Sequence, residues 1–289
     1  MKQDQIHLVQ FLHPGGECRP GPNGEVEWNR PPKPHRRKFL RQGGRYVTGP
    51  NDSSPQDDDL HFWAEWEPQS ELIGRLAGEQ PGFPKFLFRP LFVPQASYRG
   101  LHNTDPFVFG DTLYYCVCQQ RGRMKRLANG SVILFGSCLG DTFVLDTVFV
   151  VGGWQPHHRG NYKTLDVPEV YRAAGLGPLY DSSKSCAPSV KGDPLRLYHG
   201  ATHRTPCHGM FSFFPCRPAS ESPAGFARPN IGLPDVITQS HRQGLKISPP
   251  LTADEANALW NRIAKQVREQ SLRLGVFAEI PSGGGDSGH

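Results

Sequence analysis

Hydrophobic and polar residues alternate with a period of two along much of the chain, and this alternation predicts short β-strands. The clearest case is residues 130–151, GSVILFGSCLGDTFVLDTVFVV, where two apolar arms flank a glycine-rich turn over residues 136–141. Both faces of each arm are apolar, so we expect this hairpin to lie in the core of a sheet or barrel. Further strands are predicted at residues 5–13, 85–93, 195–203 and 209–218.

Two segments show the helical period of 3.6 residues instead. The longer one, residues 251–275, starts with Thr252 and Glu255 in the spacing of a capping box. Its apolar face is formed by Leu259, Ile263 and Val267. Gly275 is the predicted end of this helix. A shorter helix is predicted over residues 166–175, from an aspartate at its N-cap to a glycine at its end.

Loops should take up a large part of the molecule. The 289 residues include 32 glycines and 28 prolines, and only 37% of the residues are hydrophobic. We expect one domain over residues 1–281, with a basic loop at 30–45, an acidic loop at 51–59 and a disordered tail at 282–289. The predicted fold is α+β, with a mainly antiparallel curved β-sheet or small β-barrel and the C-terminal helix packed against it.

Charge and cysteine content narrow the class of protein. The formal net charge of +5 and the sequence pI of about 8.8 fit a polyanionic partner, and equally fit an ordinary basic protein. Seven cysteines without a small-protein disulfide spacing favour a reduced, cytoplasmic compartment over secretion. The longest apolar stretches are far shorter than the roughly 20 residues that span a bilayer, so no membrane partner is expected.

The segment LHFWAEWEPQSEL, residues 60–72, combines tryptophans with carboxylates. As a strand it would place His61, Trp63, Glu65 and Glu67 on one face and Phe62, Ala64 and Trp66 on the other. Trp63 would then stack on a planar, nucleobase-like ring, while Glu65 or Glu67 accepts hydrogen bonds from a guanine-like edge. The alternative is a strand with a tryptophan-rich core face and a solvated acidic face.

The next segments supply candidate catalytic groups. Asn103 and Asp105 lie in a predicted turn, where Asp105 would bind a ligand amine, act as a base or simply cap the turn. Cys116 and Cys118 would share one face of a strand, about 7 Å apart. Either thiol is a candidate nucleophile, and burial in the core is the alternative for both.

A histidine- and cysteine-rich region begins at residue 197 with LYHGATHRTPCHGMFSFFPC. Its candidate zinc ligands are His199, His203, Cys207, His208 and Cys216. Their spacing matches no standard zinc finger or ribbon, so we expect no metal and no other cofactor, with zinc as the weaker alternative. The Tyr-His-Gly sequence around His199 also resembles the short histidine–glycine element of ADP-ribosyltransferases.

Asp146 interrupts the apolar arm FVLDTVFVV, where an unpaired carboxylate would be costly. We predict that it anchors a structural network through a nearby arginine or the backbone, and a place in a ligand pocket is the alternative. The chain contains no P-loop, GxGxxG, HExxH or GxSxG motif. Common nucleotide hydrolases, dinucleotide oxidoreductases, zinc proteases and serine hydrolases are therefore not the first choices.

Five segments together resemble the DpdC-like proteins of bacterial gene clusters that place 7-deazaguanine in DNA. They are residues 60–72, 103–120, 130–137, 143–151 and 198–215. The resemblance extends over about residues 5–250, and it implies that 7-cyano-7-deazaguanine in DNA is converted to the 7-amido form by hydration of the nitrile. It also implies DNA carrying a modified guanine as the partner, with other proteins of the modification cluster as further candidates. The closely spaced cysteines and serines of cobalt- and iron-dependent nitrile hydratases are absent from the sequence.

Hydration of a nitrile on DNA requires an activated nucleophile and a base held outside the stack. The candidate catalytic residues are Cys116, Cys118, Cys207, Asp105 and His199. The candidate substrate-binding residues are Trp63, Glu65, Glu67, His61 and Asn103. The candidate contacts to DNA phosphates are Arg36, Arg37, Lys38 and Arg41. Nothing in the sequence chooses among the nucleophiles.

Two other functions fit the same residues. A non-catalytic reader of modified DNA would hold a flipped base with the aromatic and acidic residues and follow the phosphates with the basic segment. An ADP-ribosyltransferase-like nucleotide enzyme around Tyr198 and His199 is the third hypothesis. Substitution of the candidate cysteines or of Asp105 would leave DNA binding intact in a reader, whereas in an enzyme it would abolish turnover.

Overall fold

Two mostly antiparallel β-sheets form the framework of the protein. The structure is a computed structural model that describes residues 3–13, 15–22, 24–29, 35–77, 80–116, 122–181, 195–233, 236–237 and 244–283. Cys118 and most of the predicted tail, from residue 284 onwards, lie outside these ranges. Within them, every helix is too short or too polar to cross a bilayer.

The first sheet contains six strands. In spatial order they are β12 (Gly244–Ile247), β1 (Leu8–Leu12), β8 (Val132–Leu139), β9 (Thr142–His157), β10 (Leu195–Gly200) and β7 (Tyr114–Tyr115). The predicted hairpin is confirmed as β8 and β9, which are buried over most of their length. Its turn is tighter than predicted, because Gly136 to Leu139 still pair with β9 and the chain reverses at Gly140 and Asp141.

The second sheet contains seven strands. In spatial order they are β13 (Arg273–Ala278), β11 (Phe214–Pro218), β4 (Gln56–Glu65), β3 (Arg37–Val47), β6 (Phe86–Pro90), β5 (Ser70–Arg75) and β2 (Glu25–Val26). β13 pairs with β3 as well as with β11, so β13, β11, β4 and β3 close into a four-stranded barrel. The predicted α+β fold with a small antiparallel barrel is therefore confirmed.

The C-terminal helix α3 (Ala253–Glu269) packs against β13 and begins with the predicted capping box. Ile263 and Val267 are buried as predicted, and Trp260 anchors the helix by donating from Nε1 to the Phe211 carbonyl at 3.0 Å. The predicted end at Gly275 is wrong. The helix stops at Glu269, and Gly275 lies in β13, where an added Cβ would come within 2.2 Å of the Phe214 ring.

The shorter predicted helix has different bounds from those expected. It starts at Glu169 after Pro168, rather than at an aspartate cap, and it continues past residue 175. Its pieces are α1 (Glu169–Tyr171), a π-helical turn (Arg172–Leu176) and α2 (Gly177–Tyr180). Three short 3₁₀ helices complete the secondary structure of the described residues, at Gly122–Arg126, Tyr162–Thr164 and Ala219–Glu221.

The predicted basic and acidic loops are partly strand among the described residues. β3 takes up the second half of the basic segment, and Gln56 to Asp59 of the acidic segment belong to β4. Charge runs were interpreted as loops, but here the two runs pair across the sheet, as Arg45 lies opposite Asp57. β4 ends at Glu65, so Glu67 lies in the connection to β5 rather than in a continuous strand.

Both faces of β4 are buried from Leu60 to Glu65, whereas its first four residues are exposed. Phe62, Ala64 and Trp66 belong to one hydrophobic cluster, as the alternation predicts, whereas Trp63 belongs to a second cluster together with Phe39 and Trp260. Glu65 is 3% exposed. The alternative of a solvated acidic face is therefore wrong for Glu65, and its carboxylate must be compensated inside the protein.

Barrel closure depends on a close approach of two backbones at Gly44. An added Cβ at this position would lie 2.4 Å from the Phe277 carbonyl oxygen on β13. We expect Gly44→Ala to lower the free energy of unfolding by about 1–3 kcal/mol, because backbone atoms must shift to admit the methyl group. Gly153→Ala on β9 is the matched control, since nothing lies within 4 Å of the added Cβ, and its change should stay within about 0.5 kcal/mol. Equal effects in urea denaturation would contradict this account.

Candidate functional site

Buried charged side chains join the two sheets at the start of β3. Arg37 donates from Nε to Asp146 Oδ2 at 2.7 Å, and from Nη1 to Glu65 Oε2 at 2.6 Å. Arg228 donates to Asp146 Oδ1 at 3.3 Å. All four side chains are almost fully buried. Asp146 therefore anchors a network through arginines, as the sequence predicts, and it links β9 of the first sheet to β3 and β4 of the second.

Two histidines contact the same glutamate from other segments. His13, directly after β1, lies with Nδ1 2.9 Å from Glu65 Oε2. His35, two residues before β3, lies with Nδ1 3.0 Å from Glu65 Oε1, and its φ of 54° is in the left-handed region. The two imidazole rings are 4.9 Å apart. We call His13, His35, Arg37, Glu65 and Glu67 the Glu65 cluster.

Glu67 is the unusual member of the cluster. It is fully buried, and neither carboxylate oxygen has a hydrogen-bond partner among the described residues. Its nearest cation is His35, whose Nδ1 lies 3.6 Å from Oε1, an ion-pair distance rather than a hydrogen bond. The backbone of Glu67 is fixed by hydrogen bonds to Thr104 and Asn29. A carboxylate held in this way, without partners, is available to a polar ligand.

Other side chains near Glu67 also carry unpartnered polar atoms. Asn29 Nδ2 and His102 Nε2 are buried without a hydrogen-bond partner. Asn29 is adjacent because its backbone N–H donates to the Glu67 carbonyl at 2.8 Å. The His102 ring lies 5.1 Å from the His35 ring. Together they offer amide, imidazole and carboxylate groups around one small region.

Burial and the neighbouring charges shift the pKa values of this region in different directions. Burial opposes ionisation of His35, but Glu65 and Glu67 outweigh it and raise the pKa of His35 to about 10. Burial also opposes ionisation of Glu65, yet Arg37 and His13 hold its pKa well below the usual range. For Glu67, burial dominates and, with the nearby Glu65 charge, raises the pKa to about 7. The two glutamates therefore differ in chemistry although they are two residues apart.

A cavity of about 630 Å³ is lined by Asn29, the residue whose backbone N–H donates to the Glu67 carbonyl. This volume is in the range of small-molecule sites. Trp28 and Cys18 also line it, and its basic lining residues are Arg19, Arg36 and Lys85. Cys18 is buried, and burial raises the pKa of its thiol. The cavity lining thus combines an aromatic ring, cationic groups, the carboxylates of Glu17 and Glu27 and a neutral thiol.

Sequence reasoning missed His13, His35, Asn29, His102 and Cys18. Each lies in a loop or at a strand end, where no periodic pattern marks it. The sequence feature that could have identified two of them is their position, because His13 follows an apolar strand and His35 precedes one. The distance in sequence between them gave no indication that both contact Glu65.

Trp63 and His61 lie in the interior rather than beside the cavity. The Trp63 ring packs against Phe39, with the Arg228 guanidinium 5.2 Å from its centroid, and its Nε1 donates to the Phe226 carbonyl. His61 is buried, with Nδ1 2.9 Å from the Ser222 hydroxyl. Neither ring is presented to a ligand in this arrangement, and Trp28 is the tryptophan that lines the cavity.

Asp105 and Cys116 contact each other in the core. Asp105 is fully buried, and its Oδ1 accepts from the Cys116 backbone N–H at 2.9 Å. Burial, and then the charge of Asp105, raise the pKa of the Cys116 thiol well above its usual value. Asn103 is half-buried, with Nδ2 unpartnered. This placement fits the structural alternatives for Asp105 and Cys116.

Cys207 and His199 are placed in other environments. Cys207 lies in a tight turn with Met210, and burial raises the pKa of its thiol. His199, in β10, contacts Gln155 at 3.1 Å. The candidate zinc ligands of this region do not assemble. Among the described residues, His13, His35 and Glu65 form the group whose ligand atoms all lie within 4.8 Å of one another.

The four basic residues proposed for DNA phosphates divide into two kinds. Arg37 and Lys38 are buried, and the Lys38 ammonium donates to the Pro68 carbonyl at 2.7 Å. Burial lowers the pKa of Lys38 to about 8. Arg36 is half-buried and lines the cavity, while Arg41 is exposed and paired with Asp59. Arg36 and Arg41 are therefore the members that reach solvent.

No protein-family model, curated protein or solved structure matches the chain. The site is therefore interpreted from its own geometry. The Glu65 cluster and the cavity that Asn29 lines contain carboxylates, histidines, a tryptophan and basic residues, but His13, His35 and Trp28 stand where the sequence analysis expected His61 and Trp63.

The buried arginine should matter much more for stability than an exposed one on the same strand. Arg37→Met would leave Glu65 and Asp146 buried without their main partner, so we expect a loss of about 3–5 kcal/mol in the free energy of unfolding. Arg41→Met removes the surface pair with Asp59, whose side chain is 48% exposed, and should cost less than about 1 kcal/mol. Denaturant titration of both variants tests this. Similar losses would show that the buried network is not the stronger anchor.

His157 forms a second buried polar contact that should respond to pH. Its Nε2 lies 2.9 Å from the Cys116 carbonyl oxygen, which can only accept, so Nε2 carries the proton and Nδ1 accepts from the Tyr180 hydroxyl at 2.7 Å. Burial lowers the pKa of His157 to about 4. Because the unfolded chain takes up this proton near pH 6.5, stability should fall as pH drops from about 6.5 towards 4.

The expected loss from His157 between pH 7.5 and pH 5 is about 2 kcal/mol. Other histidines whose pKa is lowered by burial, such as His61 and His102, act in the same direction. The measurement is therefore the difference between the wild-type protein and His157→Gln, each unfolded in urea at both pH values. The variant should lose less stability on acidification. An identical loss would assign the effect to the other groups.

Proposed function

We propose that the protein hydrates the nitrile of 7-cyano-7-deazaguanine in DNA to give the 7-amido base, and that Glu67 is the catalytic base. The supporting observation is the buried carboxylate of Glu67, which has no hydrogen-bond partner among the described residues, and whose backbone carbonyl accepts from Asn29 in the lining of a cavity of about 630 Å³. The resemblance to DpdC-like proteins supplies the substrate, and the geometry supplies the reacting group.

The cavity has the features that a flipped, amine-bearing base requires. Trp28 lines the cavity but is 3% exposed, so its ring must be uncovered before a base can stack on it, and the unpartnered Nδ2 of Asn29 offers a donor for a ring carbonyl. Arg36 and Lys85 at the cavity lining suit the phosphates on either side of the base. The Glu67 carboxylate, which has no hydrogen-bond partner among the described residues, fills the role that the sequence analysis assigned to an acceptor for the guanine edge or to a base.

The chemistry requires one water and one group that moves a proton. Glu67 accepts a proton from water as the water oxygen bonds to the nitrile carbon, and the same carboxylic acid then returns the proton to the nitrile nitrogen. The resulting imidic acid tautomerises to the amide, so that R–C≡N and H₂O give R–C(=O)NH₂. His35, 3.6 Å from Glu67, stabilises the carboxylate before it takes up the proton and after it has returned it.

Water is a better nucleophile than a thiol for this site. A thioimidate route needs a thiolate, yet burial raises the pKa of the thiols of Cys18, Cys116 and Cys207. Cys18 is the cysteine at the cavity, and it carries no hydrogen-bonded base of its own among the described contacts. The described cysteines therefore favour direct hydration over covalent catalysis.

The test is to incubate the protein with DNA containing 7-cyano-7-deazaguanine, digest to nucleosides and measure the gain of one water by mass spectrometry. Glu67→Gln should lower the rate at least 100-fold while DNA binding is retained, since it removes the base without changing shape. Glu71→Gln is the matched control, because Glu71 is exposed in a surface pair with Arg89.

The possible results separate the hypotheses. A water gain by the wild-type protein that is lost only in Glu67→Gln supports the proposal. No water gain, with retained binding to this DNA, favours a reader of modified bases. Full activity of Glu67→Gln would show that a different group activates the water.

A further inference from the structure

We propose that His13, His35 and Glu65 form a binding site for one divalent transition-metal ion, with zinc as the best fit. This inference concerns the binding of the ion and does not depend on the proposed reaction. It also departs from the sequence analysis, which placed the weaker zinc alternative at His199, His203, Cys207, His208 and Cys216.

The ligand atoms already converge. His13 Nδ1 and His35 Nδ1 lie 2.9 and 3.0 Å from the two oxygens of Glu65, and all the ligand atoms are within 4.8 Å of one another. A tetrahedral zinc ion about 2.0–2.2 Å from each ligand places them roughly 3.4 Å apart. The ion would therefore need shifts of less than about 1.5 Å and the loss of the proton that each histidine now directs at Glu65.

A second observation independently points to a missing cation. Glu67 is fully buried, both of its oxygens are unpartnered among the described residues, and Oε1 points to within 3.6 Å of His35 Nδ1. The nearby Lys38 ammonium is directed to the Pro68 carbonyl instead. An ion at the proposed site would lie next to this carboxylate, either as a fourth ligand or through a bound water.

The surroundings resemble the support that metal ligands usually have. Arg37 donates to Glu65 Oε2 at 2.6 Å and so fixes the orientation of the carboxylate. The side chains of His35 and His13 are 22% and 11% exposed, whereas Glu65 is 1% exposed, which leaves an entry path on the histidine side. Two imidazoles with a carboxylate suit zinc, cobalt or nickel, while magnesium and calcium prefer oxygen ligands throughout.

If the proposed reaction is also correct, the ion would lower the pKa of a bound water next to Glu67, and Glu67 would remove its proton. This catalytic role rests on the proposed function. The binding of the ion does not, and it can be measured without DNA.

The experiment uses the full chain without an affinity tag, stripped with a chelator and titrated with zinc chloride by calorimetry. Elemental analysis of the dialysed protein gives the stoichiometry. We expect one zinc ion per chain, and visible absorption bands of low-coordinate cobalt when Co²⁺ is used instead. His13→Asn and His35→Asn should each weaken zinc affinity at least tenfold and remove the cobalt bands.

His203→Asn is the matched control, because His203 is half-buried away from the Glu65 cluster and its Nε2 hydrogen-bonds to the Asp52 carbonyl. Its zinc affinity should equal that of the wild-type protein. Glu67→Gln keeps the shape of the site and should weaken the affinity for zinc severalfold. Because this variant should keep its fold, such a loss would show that weaker binding in the histidine variants does not require misfolding. Thermal unfolding monitored by circular dichroism verifies the fold of each variant.

Stoichiometric zinc binding that is lost in the His13 and His35 variants supports the site. No binding, or equal affinity in those variants, overturns it. Zinc binding without hydration of the modified DNA would overturn the proposed function alone. If the stripped protein binds no zinc in the titration but still hydrates the modified DNA, the metal site alone is overturned.

Discussion

The buried guanidinium of Arg37 is the interaction on which the arrangement of the two sheets depends. It contacts Asp146 on β9 and Glu65 on β4 at once, so a single cation compensates carboxylates from both sheets. Removal of Arg37 would leave both carboxylates without their closest cation in an interior of low polarity. Hydrophobic clusters supply most of the buried surface, but apolar contacts still allow the two sheets to slide past each other. The fixed donors of the Arg37 guanidinium reach both carboxylates in only one relative position of the sheets.

The site follows from this constraint. Holding Arg37 at the start of β3 places His35 just outside the strand, and holding Glu65 at the end of β4 places Glu67 two residues beyond it. β1 ends beside the same point and contributes His13. Three strand ends therefore meet around one glutamate, and the adjoining loops leave a cavity beside it. Functional groups at strand ends on a rigid sheet are positioned more accurately than groups on free loops.

Much of the fold was predictable because local sequence patterns indicate it. The β8–β9 hairpin, the capping box of α3, the α+β class and the anchoring role of Asp146 required only neighbouring residues and the cost of a buried charge. The site was less accessible. Arg37 and Asp146 are 109 residues apart, and His13 and Glu65 are 52 apart, so no periodicity relates them. The charged run at the start of β3 indicated a loop, since a pattern cannot show that a partner will bury it. Trp63 was interpreted as a stacking residue because alternation identifies a shared face but not what covers that face.

Glu67 distinguishes a functional site from a purely structural network. A network that serves stability alone satisfies its charges, and the carboxylates of Asp146 and Glu65 are satisfied by hydrogen bonds from Arg37, with a further one from Arg228 to Asp146. Glu67 is buried just as deeply, yet Arg37 is engaged by Glu65 and Asp146, and Lys38 is directed to a backbone carbonyl. An unpartnered buried carboxylate costs several kcal/mol, and burial raises its pKa to about 7 in response. Folds retain such a cost where a group must remain free to exchange a proton or bind a cation. The placement of Glu67 next to His35, with its backbone held by Asn29 of the cavity lining, therefore favours chemistry over architecture as the reason for its position.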